Sequence, residues 1–366
     1  MVDLFSLGNK TIQDTKPYQA GKPIEEVERE LGLTDIIKLA SNENPLGPSP
    51  KALEAIMHNL SKLNLYPDAL YYSLREKISQ YANHPMQDIT MGNGSENCLE
   101  ILVKAYIHHG DEVIFDQYSF ATTRILIKAY GAKEILIPSN NYRHDIEKMI
   151  EAVTHKTKMI VVVNPNNPTG TYITHNELVH LLESVAENII VVIDEAYFEF
   201  MDTDDYPNSI ELLKSYNNLV VTRTFSKAYG LAGVRLGYIL SSHPVSELLY
   251  RSRMPFNVNN CAIAAGIASL DDMDFLSQTK ATNKSGMLQL QTELNQMGIN
   301  FIPSVCNFLT IDFKHNALEY CDKFLKHGVI IRPLSAYGLN NFVRVTIGTK
   351  EQNDKFIAIL RELYYA

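Results

Sequence analysis

Six short runs of β-branched and other apolar residues punctuate the middle of this chain: DEVIFD (111–116), KEILIP (133–138), KMIVVVNP (158–165), NIIVVIDEAY (188–197), NLVVTRTF (218–225) and RLGYIL (235–240). Each is shorter than a helix usually is and shows no polar alternation, which predicts a strand buried on both faces. Between several of them the spacing turns helical, as in 174–187, where Thr174 with Glu177 three positions on is a capping-box start. Strand and helix in alternation predict an α/β domain over 46–265, a mostly parallel mixed sheet flanked by helices.

After Ala262 the rhythm changes. A long helical segment through Leu294 leads to FIPSVCNFLTIDF (301–313), a helix around 317–326, then VIIRPL (329–334) and NFVRVTIG (341–348). This predicts a smaller α+β domain over 266–366, with 1–45 as an N-terminal segment associated with it. No repeat or low-complexity tract interrupts the order.

Composition narrows the class. A chain of 366 residues, 45% apolar and 20% charged, is long enough for a large core and a second smaller one. Lysine and arginine total 33 against 42 acids, and a net charge of -9 argues against a nucleic-acid surface or an anionic membrane. An anionic ligand must therefore be held by local arginines. No run reaches membrane-spanning length and the N-terminus lacks a cleavable leader pattern. The four cysteines form no CxxC pair and no metal spacing with the eleven histidines. A reduced cytoplasmic enzyme without a metal is the expectation.

In open parallel sheets, ligands bind beyond the carboxyl ends of strands. Four such ends are unusually polar here: MGNGSEN (91–97), NPNNPTG (164–170), DEAY (194–197) and TFSKAYGLAGVR (224–235). Gly94 and Ser95 open a helical pattern whose free N–H groups suit a phosphate, although an ordinary strand-to-helix turn reads the same way. Asp194 ends a buried run, where an unpaired carboxylate is costly and calls for a cationic partner. Lys227 sits in a polar turn with Thr224 and Ser226, eight positions before Arg235. Singly, each has a structural explanation; a single ligand site explains all four together.

NPNNPTG, DEAY and SKAYGLAGVRLGY resemble the fold-type I pyridoxal-phosphate aminotransferases, over essentially the whole chain. The resemblance implies that Lys227 holds the cofactor as a Schiff base and later serves as general base, and that Asp194 keeps the pyridine nitrogen protonated. It gives Asn167 and Tyr197 the ring's phenolic oxygen and Tyr118 the ring face. Gly94, Ser95, Thr224, Ser226 and Arg235 receive the phosphate, the last as a planar fork.

PYQAGKPIEEVERELGL (17–33), KLASNENPLGPSP (38–50), YPDALYYSLRE (66–76) and RPLSAYGLNNFVRVTIG (332–348) are similar to the histidinol-phosphate aminotransferases. That similarity implies exchange of amino and keto groups between histidinol phosphate and 2-oxoglutarate, the reverse of the direction used in histidine biosynthesis. Arg344 and Arg332 become candidates for the anionic ends of the substrates, and Tyr18 and Asn42 for the pocket wall. Tyr66 is matched to a tyrosine that reaches the cofactor phosphate of a neighbouring subunit, which implies a homodimer. Three other readings stay open: an aromatic amino acid aminotransferase, a threonine-phosphate decarboxylase, and a non-catalytic cofactor-binding module.

Overall fold

Thirteen strands occur among the described residues, which in this computed structural model are 2–15, 17 and 21–365. They are β1 (Ile37–Lys38), β2 (Ile89–Gly92), β3 (Glu112–Asp116), β4 (Lys133–Ile137), β5 (Thr157–Val163), β6 (Ile190–Asp194), β7 (Leu219–Thr224), β8 (Gly237–Ser241), β9 (Asn300–Ile302), β10 (Phe308–Asp312), β11 (Val329–Ile330), β12 (Arg332–Leu334) and β13 (Leu339–Thr346). The large sheet has the order β2-β8-β7-β6-β5-β3-β4, and β8 alone runs against the other six. The mixed, mostly parallel α/β sheet is therefore as the apolar runs predict.

The continuous apolar runs divide between two cores because side chains alternate across a strand. On β6, Val191 and Ile193 join one buried cluster while Ile190 and Val192 join another on the opposite face. Each such side chain contributes roughly 1.5–3 kcal/mol by leaving water. One run departs from the expectation of burial on both faces: β4 is an edge strand with a single neighbour, and its Leu136 is 37% exposed. Thr174 caps the helix His175–Ser184 and forms the full capping box with Glu177.

The helical segment expected to run unbroken to Leu294 is two helices, Asn260–Leu270 and Met273–Gln296. Asp271 and Asp272 separate them, poor helix formers that here pair with Lys77 and Lys51. In the second helix, Leu276 packs into the large core, whereas Leu290 and Leu294 belong to the small one. The small core lies on an antiparallel sheet of order β12-β13-β10-β9, with Phe324 stacked on Phe356 at 5.0 Å. The N-terminal segment joins it: β1 pairs with β11, and Leu39 is part of the small core. Residues 40–44 then run across to the large domain, and this crossing strap reaches the site described next.

Candidate active site

The polar ends of β6 and β7 and the strap 40–44 meet at one cavity between the two sheets. Asn42, Ser95, Asn167, Asp194, Tyr197, Thr224, Ser226, Lys227, Arg235, Arg332 and Arg344 all line it. Residues spread over 303 positions of sequence are thus brought to one place, with Asp194 and Thr224 at strand ends and Tyr197, Ser226 and Lys227 just beyond them.

At one end lies an anion cradle. Gly94 precedes the helix Ser95–Tyr106 at φ +83°, and a Cβ built there would fall 2.6 Å from Arg235 Nη2. Only glycine lets that backbone and the guanidinium approach so closely. Gly237 makes the matching concession from β8, where a Cβ would lie 2.7 Å from Ser95 N. Thr224 Oγ1 accepts from Ser226 N at 3.1 Å and donates to Ser226 Oγ at 2.9 Å, which fixes the turn leading to Lys227. Arg235 Nη2 also sits 3.3 Å from Glu96 Oε2, both half-exposed, so this pair holds the fork weakly.

At the far end of β6, Asp194 is 5% exposed and accepts from Thr222 Oγ1 at 3.0 Å, its neighbour in sheet register. Burial raises its carboxyl to about 6 against the pull of the Thr222 hydroxyl and the Ala196 N–H. No cation among the described residues forms an ion pair with it. On the opposite face of the strand ends, Glu195 and Arg223 form a buried pair at 2.7 Å, with the Ser209 hydroxyl donating to the Glu195 carboxylate at 2.6 Å. The Tyr206 hydroxyl donates to the carbonyl of Asn164 at 2.5 Å, tying the loop after Phe200 to the start of the NPNNPTG turn.

Lys227 Nζ donates to the carbonyl of Ser41 at 3.1 Å. Withdrawal from water, then the nearby Arg344 and Arg235 charges, lower the amine to about 8. It is thus a group that can be neutral near neutral pH, as a nucleophile or general base must be.

The small domain contributes the opposite wall. Arg344, 7% exposed, donates from Nη1 to Asn167 Oδ1 at 2.5 Å and from Nη2 to the carbonyl of Ala40 at 2.7 Å. Arg332 faces it across the β12–β13 pair.

Some expected residues stand elsewhere. Tyr118 is not on the cavity wall; its backbone N–H donates to Asp116 and its ring packs on Tyr142 at 6.2 Å, while Phe120 lines the cavity instead. A two-residue displacement along a helix-leading turn is enough to exchange them. Tyr66 is 82% exposed, stacked on Phe256 at 4.8 Å, and makes no part of this chain's own cavity. Tyr18 lies outside the described residues. Asn42 lines the cavity, but its amide is engaged with Tyr197 at 2.8 Å. Thr222, Ser41 and Phe120 escaped sequence reasoning. Of these, only Thr222 carried a signal, a polar residue two before Thr224 on the same face of a buried run. Among the described residues no cluster of side chains could hold a metal ion, and no helix is long and apolar enough to cross a membrane.

The family model described as aminotransferase class I and II matches residues 34–360. Histidinol-phosphate aminotransferase 1 of Nitrosococcus oceani is 45% identical over 97% of this chain and 96% of its own length. Histidinol-phosphate aminotransferase 2 of Haemophilus influenzae is 43% identical, covering 98% of each chain. Among solved structures, histidinol-phosphate aminotransferase from Sinorhizobium meliloti in complex with pyridoxal-5'-phosphate superposes with a TM-score of 0.91 at 26% identity, over 98% of both chains.

Proposed function

Since this chain belongs to the class I and II aminotransferases, we propose that it exchanges amino and keto groups between histidinol phosphate and 2-oxoglutarate, with pyridoxal phosphate as cofactor. In histidine biosynthesis the exchange runs the other way, from glutamate to imidazole acetol phosphate. Near-full-length relatives of that name, at 45% and 43% identity, support the substrate assignment.

The donor set fits the cofactor. Asp194 is a buried carboxylate without a cationic partner among the described residues, and a protonated pyridine nitrogen supplies one. The Gly94–Ser95 helix start, Thr224, Ser226 and Arg235 are suited to the phosphate. Lys227 stands ready with a weakly basic amine. Asn167 and Tyr197 serve the phenolic oxygen, and Phe120 offers the aromatic face expected of Tyr118.

When bound, the cofactor takes up the electron pair left as the substrate's Cα proton departs. Lys227 Nζ would take and hold the proton that leaves the substrate carbon, as a general base. Asp194 holds the nitrogen proton that makes the ring an electron sink. Arg344 and Arg332 orient the anionic end of each substrate, one wall serving glutamate's carboxylate and the phosphate in turn, since both present paired oxygens to a planar fork.

The observation that carries the reading is the convergence of Lys227, Asp194 and Arg235 on a cavity whose other wall holds two arginines. A homodimer with shared sites belongs to the same proposal: Tyr66, Leu63, Leu65 and Met254 are 82%, 60%, 59% and 65% exposed, an apolar surface for a second copy to cover. The four cysteines are free, in keeping with a cytoplasmic location.

The test is the half-reaction of the purified, cofactor-loaded protein, followed by absorbance with histidinol phosphate, phenylalanine and threonine phosphate in parallel. Fast conversion to the amine form of the cofactor with histidinol phosphate alone is the expected result. Preference for phenylalanine would move the chain to the aromatic aminotransferases, and carbon dioxide release from threonine phosphate to the decarboxylases.

A further inference from the structure

Asn42 is 1% exposed and occupies a positive φ of 55°, a conformation that asparagine tolerates better than most residues. All of its polar groups are engaged. Its backbone N–H donates to Thr346 Oγ1 at 2.9 Å and its carbonyl accepts from Asn307 Nδ2 at 3.0 Å, both from the small domain. Its side chain turns the other way, with Nδ2 donating to the Tyr197 hydroxyl of the large domain at 2.8 Å.

The orientation of the amide sets these directions. Thr346 Oγ1 receives the Asn42 N–H and gives its single proton to Asn42 Oδ1 at 3.3 Å. The amide oxygen is thereby placed toward Thr346 and the NH₂ toward Tyr197. An amide NH₂ can only donate, so the Tyr197 oxygen accepts there, and its own proton must point elsewhere. Tyr197 lines the cavity, and among the described hydrogen bonds its hydroxyl donates to no protein acceptor, so the cavity is the direction left to its proton.

We infer that Asn42 is a positioning residue that turns the Tyr197 hydroxyl into a donor aimed into the cavity, and that Thr346 orients Asn42, so the donor's aim depends on how the small domain sits. The inference rests on the functional reading above, in which that donor meets the cofactor's phenolic oxygen. It also replaces the expectation that Asn42 touches substrate. Donation into the Tyr197 oxygen strengthens the hydroxyl as a donor in turn. The ionisable groups facing this hydroxyl are Arg344 from β13, Asp194 from β6, Cys306 from the loop before β10, and Lys227, whose Nζ is 5.8 Å from the Tyr197 ring centre. Burial holds the phenol well above its ordinary range, so the proton to be aimed is present at working pH.

The experiment is a double-mutant cycle read without substrate, as the pH midpoint of the visible absorbance of the loaded protein. Asn42→Gly removes the amide without straining the positive φ. It should raise the midpoint by roughly half a pH unit, because a weaker donor stabilises the ionised oxygen less. Tyr197→Phe should raise it further, and Asn42→Gly should then add nothing. Thr346→Val, which frees the amide to turn, should shift the midpoint in the same direction as Asn42→Gly. Additive shifts in the cycle, or an unchanged midpoint with a raised KM for histidinol phosphate, would overturn the inference and return Asn42 to substrate contact. A wild-type protein that shows no visible absorbance with pyridoxal phosphate would instead refute the functional reading, and that control is run first.

Discussion

Arg332 and Arg344 stand opposite one another in cross-strand register on β12 and β13, both on the wall of one cavity. Like charges directly opposite across a sheet cost free energy, so this placement is useful only where an anion is held between or before them.

Removing either arginine should therefore act on substrate and spare the cofactor. Arg344→Ala deletes a buried fork and should weaken histidinol phosphate by about 2 to 4 kcal/mol, roughly 30- to 1000-fold in KM. Arg332, less buried, should cost about tenfold. Steady-state kinetics beside a pyridoxal phosphate titration checks this. Loss of cofactor as the main effect would put Arg344 in the wrong part of the site.

Asp194 gives a prediction about the protein without cofactor. Its carboxyl, moved by burial from the ordinary 3.8 to about 6, keeps its proton in the folded chain over a window in which the unfolded chain has lost it. Stability from this group is thus full below about 4, falls as pH rises through the window, and levels above about 6. Asp194→Asn should stabilise the cofactor-free protein at pH 7.5 by on the order of 3 kcal/mol, with the gain vanishing toward pH 4. Urea unfolding at the two pH values decides it. In the loaded protein the same substitution should slow proton transfer by about 100-fold or more, because the ring nitrogen loses its partner.

Lys227 supplies the complementary pH dependence. With its amine lowered to about 8, the reactive neutral form grows about tenfold per pH unit below that value and saturates above it. The rate at which visible absorbance develops on mixing cofactor-free protein with pyridoxal phosphate should follow that curve. A rate still climbing at pH 10 would mean that the amine is not withdrawn from water as it stands here.

The strand ends were legible because a buried parallel strand writes itself as an unbroken apolar run, and whatever breaks the run marks its tip. Asp194, Thr224 and Lys227 could be grouped by the coincidence of such tips, and the family resemblance then supplied the role of each. Contacts made by the crossing strap could not. Asn42 and Tyr197 lie 155 residues apart, and Asn42 and Thr346 304 apart, with no local pattern to connect them. Tyr118 and Phe120 show a different limit: both are aromatic and two positions apart just before the helix that starts at Ala121, and no local pattern tells which one lines the cavity. The exposed side of β4 was hidden because an edge strand in a parallel sheet has nearly the composition of a central one.

Reduction of the pyridoxal phosphate–loaded protein with borohydride, followed by peptide mass mapping, shows directly which lysine holds the cofactor. One cofactor per chain, fixed to Lys227, and none after Lys227→Ala, is the expected result. Attachment at another lysine, or an unlabelled Lys227 in a protein that still turns over, would contradict it.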